Sequence, residues 1–364
     1  MGRAELEQEG LMRVLSLFDG ISGTQQALKN LGIIPEVYFA SEIDKYAIQI
    51  TMKNFPDTIQ LGDVTKLHDF GFGEIDLMTW GSPCQDLSIA KKNRQGLNGV
   101  RSGLFYDAVK LWKRIKPRYW LMENVASMPK ESMHEISRIL GVYPLTINSS
   151  LLTAQQRKRY YWTNIKGNML DGVIPQPQDK GVLLKNILES GVVENDKSYC
   201  IDANYYKGSS LQHSIDKGTR QQVVDKNGNE KLKSNTVRSS GFGSGIEDKH
   251  NWDTIKISEA TKKGYTEAKE GQFVDLAYLN SKTRRGRVGD KAKNFMTQNT
   301  CGVVQDFTIR KLTPIECERL QGFPDNYTGG GISNTQRYKC LGNSFTVPVI
   351  EHILNFMEGL CRKK

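Results

Sequence analysis

The chain lacks most of what would tie it to a membrane, to the cell exterior or to a metal. No apolar stretch in its 364 residues approaches the length of a membrane span. Met1 to Gly10 is polar and acidic, unlike a secretory signal or a transit peptide. The six cysteines form no CxxC pair and no dense framework. That speaks against a zinc site, so no metal is expected, and it suits a reducing compartment. A glycine turn near the start lacks the complete G-x-G-x-x-G cradle for a pyrophosphate. Residues 165–305 contain no internal repeat and no long low-complexity tract.

What is present describes an ordinary globular protein with an unusual charge. It is 25% charged and 38% hydrophobic, and long enough for a large core and two lobes. The formal net charge is +10 and the pI about 9.1. That balance favours a polyanionic partner, nucleic acid first and an anionic membrane surface second.

The first half alternates strands and helices. Strands are expected at Arg13–Phe18, Glu36–Ser41, Ile59–Leu61, Ile75–Trp80 and Tyr119–Met122. Helices are expected at Thr24–Leu31, from about Asp44 to Asn54, and at Leu104–Ile115. The alternation predicts a parallel sheet with helices on both faces and the loops that follow the strands gathered at one edge.

Four of those loops carry chemistry. Phe18-Asp19-Gly20-Ile21-Ser22-Gly23 is a relative of the dinucleotide turn, in which glycines admit a ligand to the backbone. Glu42 follows at the spacing of a carboxylate that binds both ribose hydroxyls, and Asp63 ends the next strand, placed for an adenine amine. An adenosine cofactor without phosphates fits this set, and S-adenosylmethionine is the common one. The Ile75–Trp80 run stops at Gly81-Ser82-Pro83, and Cys84 follows directly, at the strand end where open sheets keep their ligands.

Together these pieces resemble the DNA (cytosine-5) methyltransferase family, in the family's motif order and over most of the chain. Phe18 to Gly23 resembles its first cofactor motif, Glu42 the ribose-binding acid, and Gly62-Asp63-Val64 the adenine-binding turn. Pro83-Cys84 matches the nucleophile motif, Glu123-Asn124-Val125 the ENV motif, and Gln155-Gln156-Arg157-Lys158-Arg159 the Q-x-R-x-R motif. Arg310 to Pro324 resembles the penultimate motif, and Gly342-Asn343-Ser344-Phe345 with Val347-Pro348-Val349 the last. Ser82, Asp86-Leu87, Tyr160-Tyr161-Trp162 and Val347 to Ile350 are similar to the core of the mammalian de novo enzymes, while Asn343 keeps the bacterial form. The resemblance is to a bacterial or phage type.

The resemblance implies an α/β fold: a Rossmann-like S-adenosylmethionine-dependent methyltransferase sheet with a smaller, irregular target-recognition domain. Its expected divisions are a catalytic domain at 11–164, a target-recognition domain at 165–305, and a segment at 306–364 returning to complete the first. Cys84 is the implied nucleophile, Glu123 the acid at cytosine N3, Arg159 the group on O2, and Arg157 the support of Arg159 or of the loop. Phe18, Asp19, Gly20, Ile21, Gly23, Glu42, Ile43, Asp63, Val64, Pro83, Asn343 and Ser344 are the implied cofactor contacts. Double-stranded DNA is the implied partner, with a flipped-out target base. Gln85, Ser88, Arg94 and Arg101 follow the cysteine in a basic, glycine-containing loop suited to closing over DNA. Arg238 is the expected base reader; Arg284, Arg285 and Arg287 are expected at phosphates, and Thr297 near the flipped base. The implied protein is a cytoplasmic, nucleoid-associated monomer, with a restriction endonuclease as a possible separate companion.

Three other readings stay open on the sequence. One is the same chemistry on RNA, although the Cys-Phe-Thr element of the tRNA-methylating branch is missing. Another is a non-catalytic DNA-binding relative. The last is a nicotinamide-dependent oxidoreductase, which has no use for Pro83-Cys84.

Overall fold

A computed structural model describes residues 12–82, 103–168, 170–191, 193, 196–203, 205, 222–225, 254–269, 273–275, 288–289, 301–303 and 308–358. The chain divides into two compact units. One consists of residues 1–187, 195–207 and 313–364; the other of residues 188–194 and 208–312.

The first unit is built on a seven-stranded sheet. Strands β1 (Arg13–Leu17), β2 (Val37–Ser41), β3 (Ile59–Gln60), β4 (Leu77–Trp80) and β5 (Tyr119–Val125) run parallel. Helices α1 (Gly23–Asn30), α2 (Lys45–Asn54), α3 (Gly103–Ile115) and α4 (Lys130–Leu140) alternate with strands in this half. Val14, Leu15 and Leu17 of β1 and all four residues of β4 are buried, as strands covered on both faces must be. On one face Trp80 stacks on Trp120, with ring centroids 5.8 Å apart, inside a cluster with Leu15, Leu17, Met78, Met122 and Trp162. The Trp162 indole N–H donates to Ser137 Oγ at 3.0 Å, so this aromatic core leaves that donor satisfied.

The sheet is not wholly parallel, contrary to the expectation from the strand–helix rhythm. Its order is β3-β2-β1-β4-β5-β7-β6, with β6 (Leu145–Asn148) and β7 (Lys158–Thr163) at one end. β7 runs antiparallel to both neighbours. The reason is the link between β6 and β7, which holds only a single 3₁₀ turn at Ser149–Leu151. Without a crossover helix the chain reverses direction. The reversal also lengthens β5 beyond Met122, its expected end. Glu123, Asn124 and Val125 pair with Tyr161, Tyr160 and Arg159 after β4 has stopped at Trp80. The tip of β5 therefore projects past β4.

Three helices after residue 313 belong to this same unit: α5 (Pro314–Gln321), α6 (Asn334–Asn343) and α7 (Val347–Leu354). α5 opens with a capping box between Thr313 and Glu316 and with Pro314 in its first turn, and it closes on Gly322 at φ +80°. The last helix ends at Leu354, where a tighter turn buries Met357. Buried amides stitch these pieces in. Gln155 Nε2 donates to the Leu320 carbonyl at 3.3 Å, and its Oε1 accepts from the Ile201 N–H at 3.0 Å. Gln321 Nε2 donates to the Leu341 carbonyl at 2.7 Å.

The described part of the second unit consists of short antiparallel strands. β8 (Gln222–Asp225) pairs with β14 (Thr308–Lys311), and β9 (Thr254–Ser258) pairs with β10 (Tyr265–Lys269). β11 (Phe273–Asp275) lies between β12 (Val288–Gly289) and β13 (Cys301–Val303). Among the described residues no helix is long and apolar enough to cross a membrane.

Candidate active site

The carboxyl ends of β1, β2, β4 and β5 share one edge of the sheet, because these strands are parallel. At β5 and β7 the pairing itself assembles an ion pair. Glu123 lies opposite Tyr161, and Arg159 is two residues along β7 on the same face, a diagonal neighbour. Long side chains span that diagonal: Arg159 Nε is 3.0 Å from Glu123 Oε1, with the side chains only 15% and 13% exposed. The Arg159 fork also donates to its neighbour's carbonyl, Lys158 O, at 3.0 Å. Tyr161 is buried, and burial followed by the Glu123 charge pushes its hydroxyl far above the usual tyrosine range.

Asn124 points the other way. Its Oδ1 accepts from the Val125 N–H at 2.8 Å, and its Nδ2 donates to Ser82 at both Oγ (3.3 Å) and the carbonyl (3.4 Å). Asn124 is buried, so its amide holds Ser82, the residue before Pro83-Cys84 in the chain. At Gly81 a side chain would begin 2.9 Å from Phe345 Cε1 and 3.5 Å from Glu123 Oε2. Only glycine lets the Phe345 ring lie this close to the end of β4. A side chain at Gly23 would likewise meet Phe345 Cβ and Ser344 Oγ, each at 3.3 Å. Phe345 thus stands between the β1 turn and the Glu123 end of the site.

Arg157, expected among the catalytic groups as a support for Arg159, is buried with its fork committed to the backbone. Nη1 donates to the Ile201 carbonyl at 2.9 Å and to Cys200 Sγ at 3.4 Å. Nη2 donates to the Gly342 and Ser344 carbonyls at 3.1 and 3.0 Å. Its role in this geometry is to join β7 to residues 342–344. The Cys200 sulfur also accepts from Arg159 Nη2 at 3.8 Å.

The β1 turn is a second focus. Phe18, Gly20 and Ser22 all have left-handed backbones, with φ of +53°, +60° and +57°. For the two non-glycine residues this costs roughly 1–2 kcal/mol each. The turn is held from several sides. Asp19 accepts from the hydroxyls of Ser22 and Tyr38, the latter at 2.8 Å. Burial raises the Asp19 carboxyl above its usual range, although the hydrogen bonds of Ser16, Ser22 and Tyr38 pull it down. Glu42 accepts from the Gly20 N–H through Oε2, and from the Ile43 and Asp44 N–H groups through Oε1, all at 2.8 Å. Asp63 accepts from Thr65 through both its N–H and its hydroxyl, and the backbone bond, with the hydroxyl bond next, holds its carboxyl below the usual range.

These residues suit an adenosine-bearing ligand. A side chain at Gly20 would meet nothing within 4 Å among the described residues. Ile43 stands 74% exposed beside Glu42. Ser344 Oγ is buried and has no hydrogen-bond partner among the described residues, which leaves a donor and acceptor facing Gly23. Ile21 and Val64 are buried, so only their backbones can meet a ligand, and the Asp19 side chain is spent on the turn itself. Asn343 ends α6, directly ahead of Ser344.

Pro83, Cys84, Gln85, Ser88, Arg94 and Arg101 lie outside the described residues, as do Arg238, Arg284, Arg285, Arg287 and Thr297. The structure adds residues that the sequence did not single out. Lys339 on α6 reaches Asp44 Oδ2 at 2.7 Å, beside Glu42, and Tyr327 donates to the Ile21 carbonyl at 2.7 Å. Neither carries a local signal, since each meets its partner about 300 residues away.

The family profile of the C-5 cytosine-specific DNA methylases matches residues 12–358. The orphan methyltransferase M.SPRI of Bacillus phage SPR is 28% identical, over 94% of this chain and 97% of its own length. The type II methyltransferase M1.ScrFI of Lactococcus lactis subsp. cremoris is also 28% identical, over 96% of this chain and 79% of its own. Among solved structures, the Entamoeba histolytica methyltransferase EhMeth shares the fold with a TM-score of 0.58 at 18% identity, over 95% of this chain and 98% of that one. The strand order, the Glu123–Arg159 pair and the profile match over nearly the whole length together lead to one assignment: the chain belongs to the C-5 cytosine-specific DNA methylase family.

Proposed function

We propose that this protein methylates carbon 5 of a flipped-out cytosine in a specific duplex DNA sequence, with S-adenosylmethionine as donor and a transient covalent bond from Cys84 to carbon 6. The observation that carries this reading is the Glu123–Arg159 pair, enclosed at the projecting tip of β5 and touching the Gly81 turn that leads to Cys84. In the proposed recognition-and-catalysis scheme residues 165–305 select the DNA site.

The chemistry follows from the residue types. Carbon 5 of cytosine is a poor nucleophile. Addition of the Cys84 thiolate to carbon 6 turns the ring into an enamine, with electron density at carbon 5. The negative charge that develops at N3 is met by a proton on Glu123, and the Arg159 fork holds O2 and steadies the carboxyl. The bound cofactor supplies an electrophilic methyl on a sulfonium, and Glu42, Asp63, Ile43 and Ser344 are the groups that would hold it. After transfer, loss of the carbon 5 proton, return of the N3 proton to Glu123 and departure of the thiolate restore the aromatic ring. Asn124 and Phe345 set the walls: the first anchors the loop bearing Cys84, and the second packs between the β1 turn and Glu123.

Bisulfite sequencing of a plasmid recovered from cells expressing the protein tests this reading. Protected cytosines in one recurrent sequence context are expected. A fully converted plasmid, alongside methyl transfer to tRNA in vitro, would instead assign the same chemistry to RNA.

A further inference from the structure

The link between α5 and α6, residues 322–333, serves no step of the chemistry above, yet it touches the β1 turn. Tyr327 is 3% exposed, and its hydroxyl donates to the Ile21 carbonyl at 2.7 Å. Ile21 stands between Gly20 and Ser22, both with left-handed backbones. We propose that Tyr327 is a positioning residue for cofactor binding: its hydroxyl holds the Ile21 peptide so that the Gly20–Gly23 backbone presents the shape the cofactor needs.

Three observations support this role. First, the tyrosine is itself held rigidly. Its ring packs on Phe323 with centroids 4.4 Å apart, and its carbonyl accepts from Asn54 Nδ2 at 3.0 Å, while Lys53 Nζ donates to the neighbouring Asn326 carbonyl at 2.8 Å. Second, the next residue is locked by a buried charge network. Thr328 donates to Glu318 through its N–H at 2.8 Å and through its hydroxyl, and Arg337 reaches the same Glu318 oxygen at 3.0 Å and Thr328 Oγ1 at 2.8 Å. Glu318 and Thr328 are fully buried, so this brace does not move with solvent. Third, the hydroxyl keeps its proton. Burial, and then the nearby Asp19 charge, push it far above the usual tyrosine range, so it remains a donor at any pH at which the enzyme works.

Two tyrosines therefore grip the turn from different elements. Tyr38 of β2 takes the Asp19 carboxylate, and Tyr327 takes the Ile21 carbonyl. Other ties go to other groups of the turn: Glu42 accepts from the Gly20 N–H, Ser22 Oγ lies 3.0 Å from Thr51 Oγ1, Thr51 Oγ1 donates to the Gly20 carbonyl at 3.4 Å, and the Ser22 N–H donates to the Asp19 carbonyl at 3.1 Å. Removal of the Tyr327 hydroxyl frees the Ile21 peptide and spares the rest.

The inference rests on the S-adenosylmethionine reading, and Tyr327→Phe tests the two separately. Calorimetric titration with S-adenosylmethionine is expected to show binding to the unaltered protein and about five- to tenfold weaker binding to the variant, the effect of one neutral hydrogen bond. The Michaelis constant for the cofactor should rise by a similar factor, with kcat at saturation and affinity for duplex DNA within twofold. In the cofactor-free variant, amide exchange should quicken at residues 20–24 and stay unchanged in β4 and β5. Arg337→Lys, which keeps the hydroxyl but loosens the brace, should shift cofactor affinity in the same direction by less. Failure of the unaltered protein to bind S-adenosylmethionine would overturn the cofactor reading itself. Binding to the unaltered protein with equal binding to Tyr327→Phe would overturn only the role of the tyrosine. Equal loss of cofactor and DNA binding would overturn it too, since the hydroxyl would then support the fold at large.

Discussion

If Glu123 and Arg159 act as one unit, removing both should cost little more than removing either. At 3.0 Å and an effective dielectric near 20, the gross attraction between the two charges is about 5–6 kcal/mol before the cost of taking them out of water. Both side chains are about six-sevenths enclosed, so replacing either leaves the other's charge poorly solvated. Glu123→Gln also loses the proton donor for N3. That alone is worth about 10²–10⁴-fold, or about 2.7–5.4 kcal/mol at 1.36 kcal/mol per decade. Arg159→Gln should fall in the same range, because the carboxyl it steadies would lose both its orientation and its partner. Independent effects would multiply to about 10⁴–10⁸-fold in the double variant. The pairing predicts instead a double variant within about tenfold of the worse single one. The measurement is kcat/KM for transfer of tritiated methyl groups to duplex DNA, with DNA affinity followed by gel shift as the control. A multiplicative loss would mean that the pair is a contact of the resting state, and that each residue meets the base separately.

Other outcomes follow from the same coordinates and chemistry. Cys84→Ser should abolish transfer while leaving DNA and cofactor binding largely intact; duplexes carrying 5-fluorocytosine should trap the unaltered protein covalently, and a denaturation-resistant complex with the serine variant would contradict the proposed nucleophile. Gly141 and Gly322 both cap helices at similar positive φ, +74° and +80°, but a side chain at the first meets nothing within 4 Å among the described residues, whereas at the second it begins 2.2 Å from Pro348 Cδ. Gly141→Ala should therefore cost about 1–2 kcal/mol by urea denaturation, and Gly322→Ala at least about 2 kcal/mol more, because α7 must shift; equal midpoints would contradict that packing. Burial raises the Asp44 carboxyl, but the Lys339 hydrogen bond and the N–H groups of Tyr46 and Ala47 outweigh it and hold it below the usual carboxylate range. A depressed folded-state value means a stabilising contribution that is present above about pH 4 and lost as the pH falls below it. Lys339→Met should flatten this part of the acid limb of the melting temperature, and an unchanged limb would show that the pair is idle.

The β1 turn was legible because glycines, a carboxylate and strand boundaries lie close together in the chain. Phe18 to Gly23 could be read from the sequence as a glycine turn between a strand and a helix. The reversed β7 was not legible. Tyr160-Tyr161-Trp162 is apolar without a gap, and such a run carries no trace of direction. The extra length of β5 depended on that same neighbour and was hidden with it. Arg157 and Arg159 share a motif, yet one serves the backbone and the other Glu123, a division set by β7's register against β5 and by where residues 200–201 and 342–344 return. The links from Tyr327 to Ile21 and from Lys339 to Asp44 leave no local pattern, since about 300 residues separate each pair. Cys84 lies outside the described residues, so its place rests on the sequence and on the Gly81-Ser82 turn before it.

The late helices sit in the same unit as β1, with Tyr327, Ser344 and Phe345 set around the first turn of the sheet and Lys339 at Asp44. This has a bearing on how the protein is made. A nascent chain leaves the ribosome amino end first, and its opening strands are finished long before residues 313–358 emerge. Until then the glycine turn has no Tyr327 to hold Ile21, and Arg157 has no carbonyls at 342–344 to receive it. A partly synthesised chain therefore cannot assemble this pocket, even with every residue of the Cys84 loop already translated. A nonsense change anywhere before the final helix should therefore behave as a complete null.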